Sequence, residues 1–306
     1  MRTAAVTVLF LTLIAQVSFA EDILPQIVVQ EWGVVTWING DPVLTSAPEV
    51  PEVFPIGSDD IDYGDYAVRA PVLYFNGPEF SGAVTVATDN GAIFDIYPAV
   101  DDHLRSHSSV TWECSVSLDR IEEYPRGLEV SPGQWNYDLW RVDPAMTVSM
   151  ANGWHDKFLY YETAPETMDF LPYTPGAESV CDEYSDWPVL VIKRRTDGVF
   201  FSSTTLGTLV YGGDMEYQDI TPDDVMRVLL DWSADTLEPE QYQALWNTWS
   251  SWILYDHSSQ REYSSGMVLL QVPEELAGII STISVEPVEA PYPVELRRYI
   301  LVALPL

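Results

Sequence analysis

Residues 27 to 37 read IVVQEWGVVTW. Eleven residues dominated by β-branched and aromatic side chains, stopped by Gly40, Asp41 and Pro42, predict a strand. Both alternating faces are mostly apolar, which places the strand inside a sheet rather than at an edge. Glu31 breaks the pattern, because alternation sets it on one face with Val29, Gly33, Val35 and Trp37. A semi-buried carboxylate needs a cation or hydrogen-bond donor to offset a desolvation cost of several kcal/mol. Arg69, just before the strand Pro71 to Phe75, and Lys157, opening the segment KFLYY, are placed to supply one if their strands are neighbours. Glu31, Arg69 and Lys157 therefore form the candidate cluster, either a structural ion pair or a site built on a perturbed carboxylate and lysine.

Outward from that strand, residues 48 to 66 are rich in proline and acids without periodicity, and read as a long surface loop. Strands follow at 71 to 75, 83 to 87 and 92 to 97, the last two joined by Asp89-Asn90-Gly91, a hairpin signal. Further strands fit 110 to 116, 135 to 142, 157 to 161, 188 to 193 and 198 to 211, a spacing that suits an antiparallel sandwich. At Thr221-Pro222-Asp223-Asp224 the pattern changes to a helix start: a capping threonine, proline in the first turn, and acids near the positive helix end. A second helix begins near Pro239 with Tyr242, Leu245, Trp246, Trp249, Trp252 and Ile253 along one stripe. At that spacing the tryptophans read as core. A strand at 267 to 272, a short helix at 273 to 280 and a last strand at 297 to 304 complete the chain. The predicted class is α+β: a β-rich antiparallel sandwich-like body over residues 21–215, then an α/β part over 216–306 with a helical pair and a final strand, packed on it.

Residues 1–20, MRTAAVTVLFLTLIAQVSFA, carry one arginine, an apolar run and small side chains at positions −3 and −1 of a cleavage site after Ala20, the pattern of a signal peptide. Its apolar run falls short of the roughly 20 residues that span a bilayer, so no transmembrane anchor is expected after cleavage. Without the leader, 13 basic side chains face 47 acidic ones, a formal charge of −34. Nucleic acid is thereby excluded as a partner, since its binding depends on cations that displace phosphate counterions. Only Lys157 and Lys193 are lysines, and such a surface also suits a salty habitat. In an oxidising compartment, Cys114 and Cys181 allow a single intramolecular disulfide.

Motifs for chemistry are missing: no GxSxG, SxxK, CxxC, HExxH, P-loop or GxGxxG occurs. His103 and His107 stand four apart beside Asp101 and Asp102, but the polar run DDHLRSHSS reads as a solvated turn. Asp59, Asp60, Asp62 and Asp65 offer oxygen ligands of the kind calcium takes, in an order that does not fit an EF-hand; Asp60 and Asp62 are the weak calcium candidates. No other metal and no cofactor is expected.

Three segments together resemble a family of exported bacterial proteins of unassigned function: Glu31-Trp32-Gly33-Val34-Val35-Thr36, Pro71-Val72-Leu73-Tyr74-Phe75 and Lys157-Phe158-Leu159-Tyr160-Tyr161. The closing segment from Met267 through Ile300 is similar as well. Gln30 stands where that family often has histidine, and Arg69-Ala70 where a lysine or another polar residue usually precedes Pro-Val. The resemblance implies export and a β-rich fold, and carries over no catalytic residues. The resulting expectation is an exported periplasmic or extracellular protein, non-enzymatic, binding an envelope or extracellular ligand. The alternatives are an extracytoplasmic hydrolase, possibly carbohydrate-active, using dispersed carboxylates, and a calcium-stabilised envelope component.

Overall fold

A computed structural model describes residues 25–37, 66–89, 91–124, 136–165, 182–195, 198–219, 221–255, 266–289 and 292–305. In chain order the elements are β1 (Ile27–Trp37), β2 (Tyr66–Asn76), β3 (Phe80–Ala87), β4 (Ala92–Tyr97), β5 (Ser109–Ser117), β6 (Thr147–Met150), β7 (His155–Asp156), β8 (Leu159–Ala164), β9 (Pro188–Arg195) and β10 (Gly198–Thr205). There follow α1 (Leu206–Tyr211), β11 (Gln218–Asp219), α2 (Pro222–Ser233), α3 (Pro239–Tyr255), β12 (Gly266–Gln271), α4 (Glu274–Ile280), β13 (Thr282–Pro287) and β14 (Val294–Pro305).

Two sheets form the α+β, sandwich-like body. The larger runs β11-β10-β9-β12-β14-β1-β2-β8-β4, and the smaller β13-β3-β5-β6-β7. All named pairs are antiparallel except β1 with β14, which makes the large sheet mixed. Strand β1 is central, as its two apolar faces require. Its even face, with Trp32 and Val34, joins a core under α2 and α3. Ile27 and Val29 of its odd face pack against the small sheet, and Val35 joins a third core with residues of α1 and α4. Burial on both faces explains why this strand lacks simple alternation.

Helix α2 starts where its signals lie: the Thr221 hydroxyl accepts from the Asp224 N–H, and the Asp224 carboxylate accepts from the Thr221 N–H. On α3, Tyr242, Leu245, Trp246, Trp249 and Ile253 are buried, each large side chain contributing about 1.5–3 kcal/mol of hydrophobic stabilisation. Trp246 and Trp249 of the stripe are core, and the Trp252 side chain lies outside the described residues.

Four local expectations are corrected. Strands β3 and β4 do not form a hairpin across Asp89 to Gly91; β3 pairs with β13 and β5 in the small sheet, whereas β4 pairs with β8 in the large one. A side chain at Gly91 would collide with the Ala164 carbonyl on β8, so the turn residues serve close docking after a change of sheet. Residues 137 to 140, expected as part of a strand, form a 3-10 turn whose Asn136 side chain accepts from the Asp138 N–H. The predicted strand 198 to 211 ends at Thr205, where the threonine caps α1. Strand β13 occupies ground read only as a connection. The long loop expected at 48 to 66 lies, up to residue 65, outside the described residues.

Candidate functional site

Glu31 is fully buried, and its described partners are not Lys157 but residues of β14, β8 and the end of α4. The parallel register sets Glu31 directly beside Arg298 of β14, and Arg298 Nε donates to Glu31 Oε2. Tyr161 of β8 donates its hydroxyl proton to Glu31 Oε1. With that proton committed, the Ser281 hydroxyl 2.7 Å away must donate to Tyr161, and Ser281 Oγ in turn accepts from Arg298 Nη2 at 2.7 Å. The four side chains close a ring. Arg298 Nη1 also donates to the carbonyls of Ala277 and Ser281 at 2.6 and 2.7 Å, at the negative end of α4.

Burial alone would lower the Arg298 pKa, but the Glu31 carboxylate more than offsets it and the guanidinium is held charged. Burial, and then the charge of Glu31, push the Tyr161 phenol well above its ordinary range, so it stays a donor. Every charge is paired and solvent is shut out. The ring fixes β1, β14, β8 and the end of α4 against one another, a structural role.

Lys157 is engaged elsewhere. Its Nζ donates to the Ala145 carbonyl at 2.7 Å and lies 3.3 Å from the exposed Asp143 carboxylate. The KFLYY segment does reach Glu31, but through Tyr161. Arg69 is a backbone neighbour of Val34 in the β1–β2 register, and its side chain lies outside the described residues. Among the described side chains Glu31 is therefore grouped with Arg298, Tyr161 and Ser281, and Lys157 is not part of that group.

Beside Lys157 sits a second buried carboxylate, Asp156. It accepts from Arg141 Nη2 at 2.9 Å, Arg141 Nε at 3.0 Å, the Tyr97 hydroxyl at 2.9 Å and the Lys157 N–H at 2.8 Å. Arg141 also meets Asp138 and lies over the Tyr124 ring. Burial opposes its charge, and the hydrogen bond and charge of Asp156 override that, raising the Arg141 pKa. This cluster pins β7 to the turn at 137 to 140.

Other sequence candidates fare as follows. Cys114 is buried on β5, and burial pushes its thiol up to about 12; Cys181 lies outside the described residues, as do Asp60 and Asp62. His103 lies in a single 3-10 turn and His107 in the bend after it, both exposed. Among the described residues no group of three or more His, Cys, Asp or Glu is disposed to hold a metal ion, and no helix is long and apolar enough to cross a membrane.

Two surface concavities stand among the described residues. One, of about 540 Å³, lies on the outer face of the small sheet, where Glu113 and Glu286 flank Ala83 in register. Their backbones stand about 9–10 Å apart, two strand spacings. The other, of about 530 Å³, lies where the turn between α2 and α3 overhangs β1 and β14. Its floor is Gln30, buried on the helix-facing side of β1, with Glu295 and Arg297 of β14 beside it. Gln30 Nε2 donates to the Thr236 carbonyl at 3.0 Å, while its Oε1 accepts from Asn76 and from Gln241, at 2.5 and 2.9 Å. Gln241 also accepts from the Glu238 N–H at 2.9 Å, capping the start of α3. Three buried or half-buried amides thus tie the overhanging turn to the sheet, giving the groove fixed walls. Arg297 grips Glu295 through Nε at 2.9 Å and Nη2 at 3.2 Å, and remains about a third exposed. Sequence reasoning passed over Arg297 and Glu238 because they are 59 residues apart and belong to no motif.

No protein-family model, curated protein or solved structure matches this chain.

Proposed function

We propose that the protein is an exported, non-catalytic binding protein whose ligand site is the groove between the α2–α3 turn and the ends of β1 and β14. The observation that carries this reading is the contrast between closed and open polar groups. The Glu31 and Asp156 carboxylates are fully buried and matched by partners within the fold, whereas Arg297, Glu295, Glu238 and Asp235 line a concavity on a braced floor, partly open to solvent. A hydrolase acting on carbohydrate has less support: the pair Glu113 and Glu286 sits on an open sheet face, and all eight tryptophans with described side chains are buried or half-buried. Export rests on the leader, and the mature chain is expected to begin at Glu21.

The test is a two-part measurement. N-terminal sequencing of protein recovered outside the cytoplasm should read Glu21 first; an intact Met1 there would overturn cleavage after Ala20, and recovery in the cytoplasm alone would overturn export. Amide chemical-shift mapping against a panel of small cations, anions and polyols should move the signals of Gln30, Thr236 and Leu237. Shifts confined to Ala83 and Ser115 would move the site to the small sheet.

A further inference from the structure

Strand β13 (Thr282–Pro287) is the outermost strand of the small sheet, and among the described residues no strand pairs with its second edge. The pairing on its first edge fixes which backbone groups are left over. Val288 N–H donates to the Ser81 carbonyl at 2.8 Å, and the register continues through Glu286 with Ala83, Ser284 with Thr85 and Thr282 with Ala87. Antiparallel bonding alternates along a strand, so these even-numbered residues bond β3, and the N–H and C=O groups of Ile283 and Val285 point away from the sheet. The other sheet ends differ. Strands β7 and β11 are two residues long, and β4 already receives residues 105 to 107, through Ile93 N–H on the His107 carbonyl and Arg105 Nη2 on the Phe94 carbonyl at 3.1 Å. Open edges are ordinarily blunted by lysine, a bulge or a proline within the strand. Strand β13 has no lysine, its register with β3 is unbroken, and its proline, Pro287, stands at its end.

The strand is complementary to itself. With two copies of β13 antiparallel, a two-fold centred on Val285 sets Ile283 against Pro287, which has no N–H to give. A two-fold centred on Ile283 sets Val285 against Ser281, whose N–H is already given to the Ala277 carbonyl. Centred on Ser284, Ile283 of each copy meets Val285 of the other, and every outward N–H of the pair finds a carbonyl. On the inner face this register joins the Ile283 and Val285 side chains, which belong to the small-sheet core, across the junction. On the outer face Ser284 meets Ser284 and Glu286 meets Thr282, so no like charges come opposite. The exposed apolar side chains flanking the strand are also matched. Val288, 80% exposed, follows β13, and Ile279, 42% exposed, lies in the last turn of α4 before it, so antiparallel pairing brings each Val288 to the other copy's α4 end.

We propose that β13 is a self-association edge: two copies of this chain join through an antiparallel pair of β13 strands centred on Ser284, which makes their small sheets continuous. So acidic a chain repels its own copies at long range, and salt that screens the charge strengthens the pair.

The experiment is sedimentation velocity of the chain without its leader, over a concentration series at low and high salt. It compares wild type, Ser284→Glu and an equimolar mixture of Ser284→Glu with Ser284→Lys. Ser284 is exposed, and an unchanged thermal transition verifies folding. Wild type is expected to form a dimer favoured by salt, with the Ile283 and Val285 amides protected from exchange. Ser284→Glu sets two carboxylates opposite each other and should weaken the dimer about tenfold, and the mixture should recover it as a mixed dimer. Ser284→Cys in a Cys181→Ser background should form a covalent dimer on mild oxidation, because residues opposed in a non-hydrogen-bonded pair lie about 4.5 Å apart at Cα. A wild type that stays monomeric at every concentration and salt would overturn the proposal. A dimer that ignores Ser284→Glu, a mixture no tighter than Ser284→Glu alone, or a Ser284→Cys dimer that does not cross-link would place the contact elsewhere and overturn it too.

Discussion

Glu31 and Arg298 face each other in the register of the parallel pair β1–β14, and their side chains meet in an ion pair closed to solvent. The two residues are 267 positions apart, so the pair forms only when the last strand has inserted beside the first. A shift of one residue would turn Arg298 to the helix-facing side and strand both charges.

Breaking this pair from one side should be costly. Glu31→Gln is expected to destabilise by about 3–5 kcal/mol, because Arg298 remains buried without a counter-charge. The double change Glu31→Met with Arg298→Met should recover more than half of that loss. Chemical denaturation of the two variants and the wild type provides the comparison; equal losses for single and double changes would rule out uncompensated charge as the cause.

Asp156 makes a parallel case with a pH signature. Asp156→Asn should cost about 3 kcal/mol by leaving Arg141 without its buried partner. The neighbouring Tyr97 phenol is pushed up to about 12, first by burial and then by the charge of Asp156. Because its folded pKa is raised, the neutral phenol is the form the fold favours. Its contribution is complete below the ordinary value of 10.0 and is lost as pH rises through about 12. Stability measured across that window should fall less steeply in Tyr97→Phe than in wild type.

The Cys114 thiol, buried with a pKa pushed up to about 12, should be inert to a thiol reagent at neutral pH in a Cys181→Ser background. Labelling should follow the unfolding curve. Rapid labelling of the native variant would mean that β5 opens locally.

Gly82 reports on β13. A methyl group there would lie 2.2 Å from the Glu286 carbonyl oxygen, a backbone atom with little room to retreat. Gly82→Ala is expected to loosen the β3–β13 pair, giving faster amide exchange at Ile283 and Val285 while β5 and β6 stay protected.

Sequence legibility followed the range of the deciding interaction. Strand β1 and the starts of α2 and α3 were legible because apolar pattern, capping threonine and proline act within a few residues. The Asp-Asn-Gly signal at 89 to 91 misled because the same turn chemistry serves a change of sheet, and the choice belongs to Ala164 and β8. For Glu31, alternation showed that a carboxylate was buried and needed a donor. It could not rank Arg69, Lys157 and Arg298, since nothing local states which strand becomes the neighbour. The groove was illegible for the same reason: Gln30, Glu238 and Arg297 acquire a common purpose only after β14 and the α2–α3 turn meet at β1.

By itself, then, the sequence determined the class of the fold, the central place of β1, the burial of Trp246 and Trp249 on α3 and the surplus of acid. These follow from periodicity, capping and composition, which need no neighbour. Tertiary structure alone decided that β14 lies parallel beside β1, that Arg298 neutralises Glu31, and that carboxylates from the α2–α3 turn face Arg297 across an open groove. Electrostatic pairing and concavity are properties of distances in space, and those were set by hydrophobic packing of strands far apart in the chain.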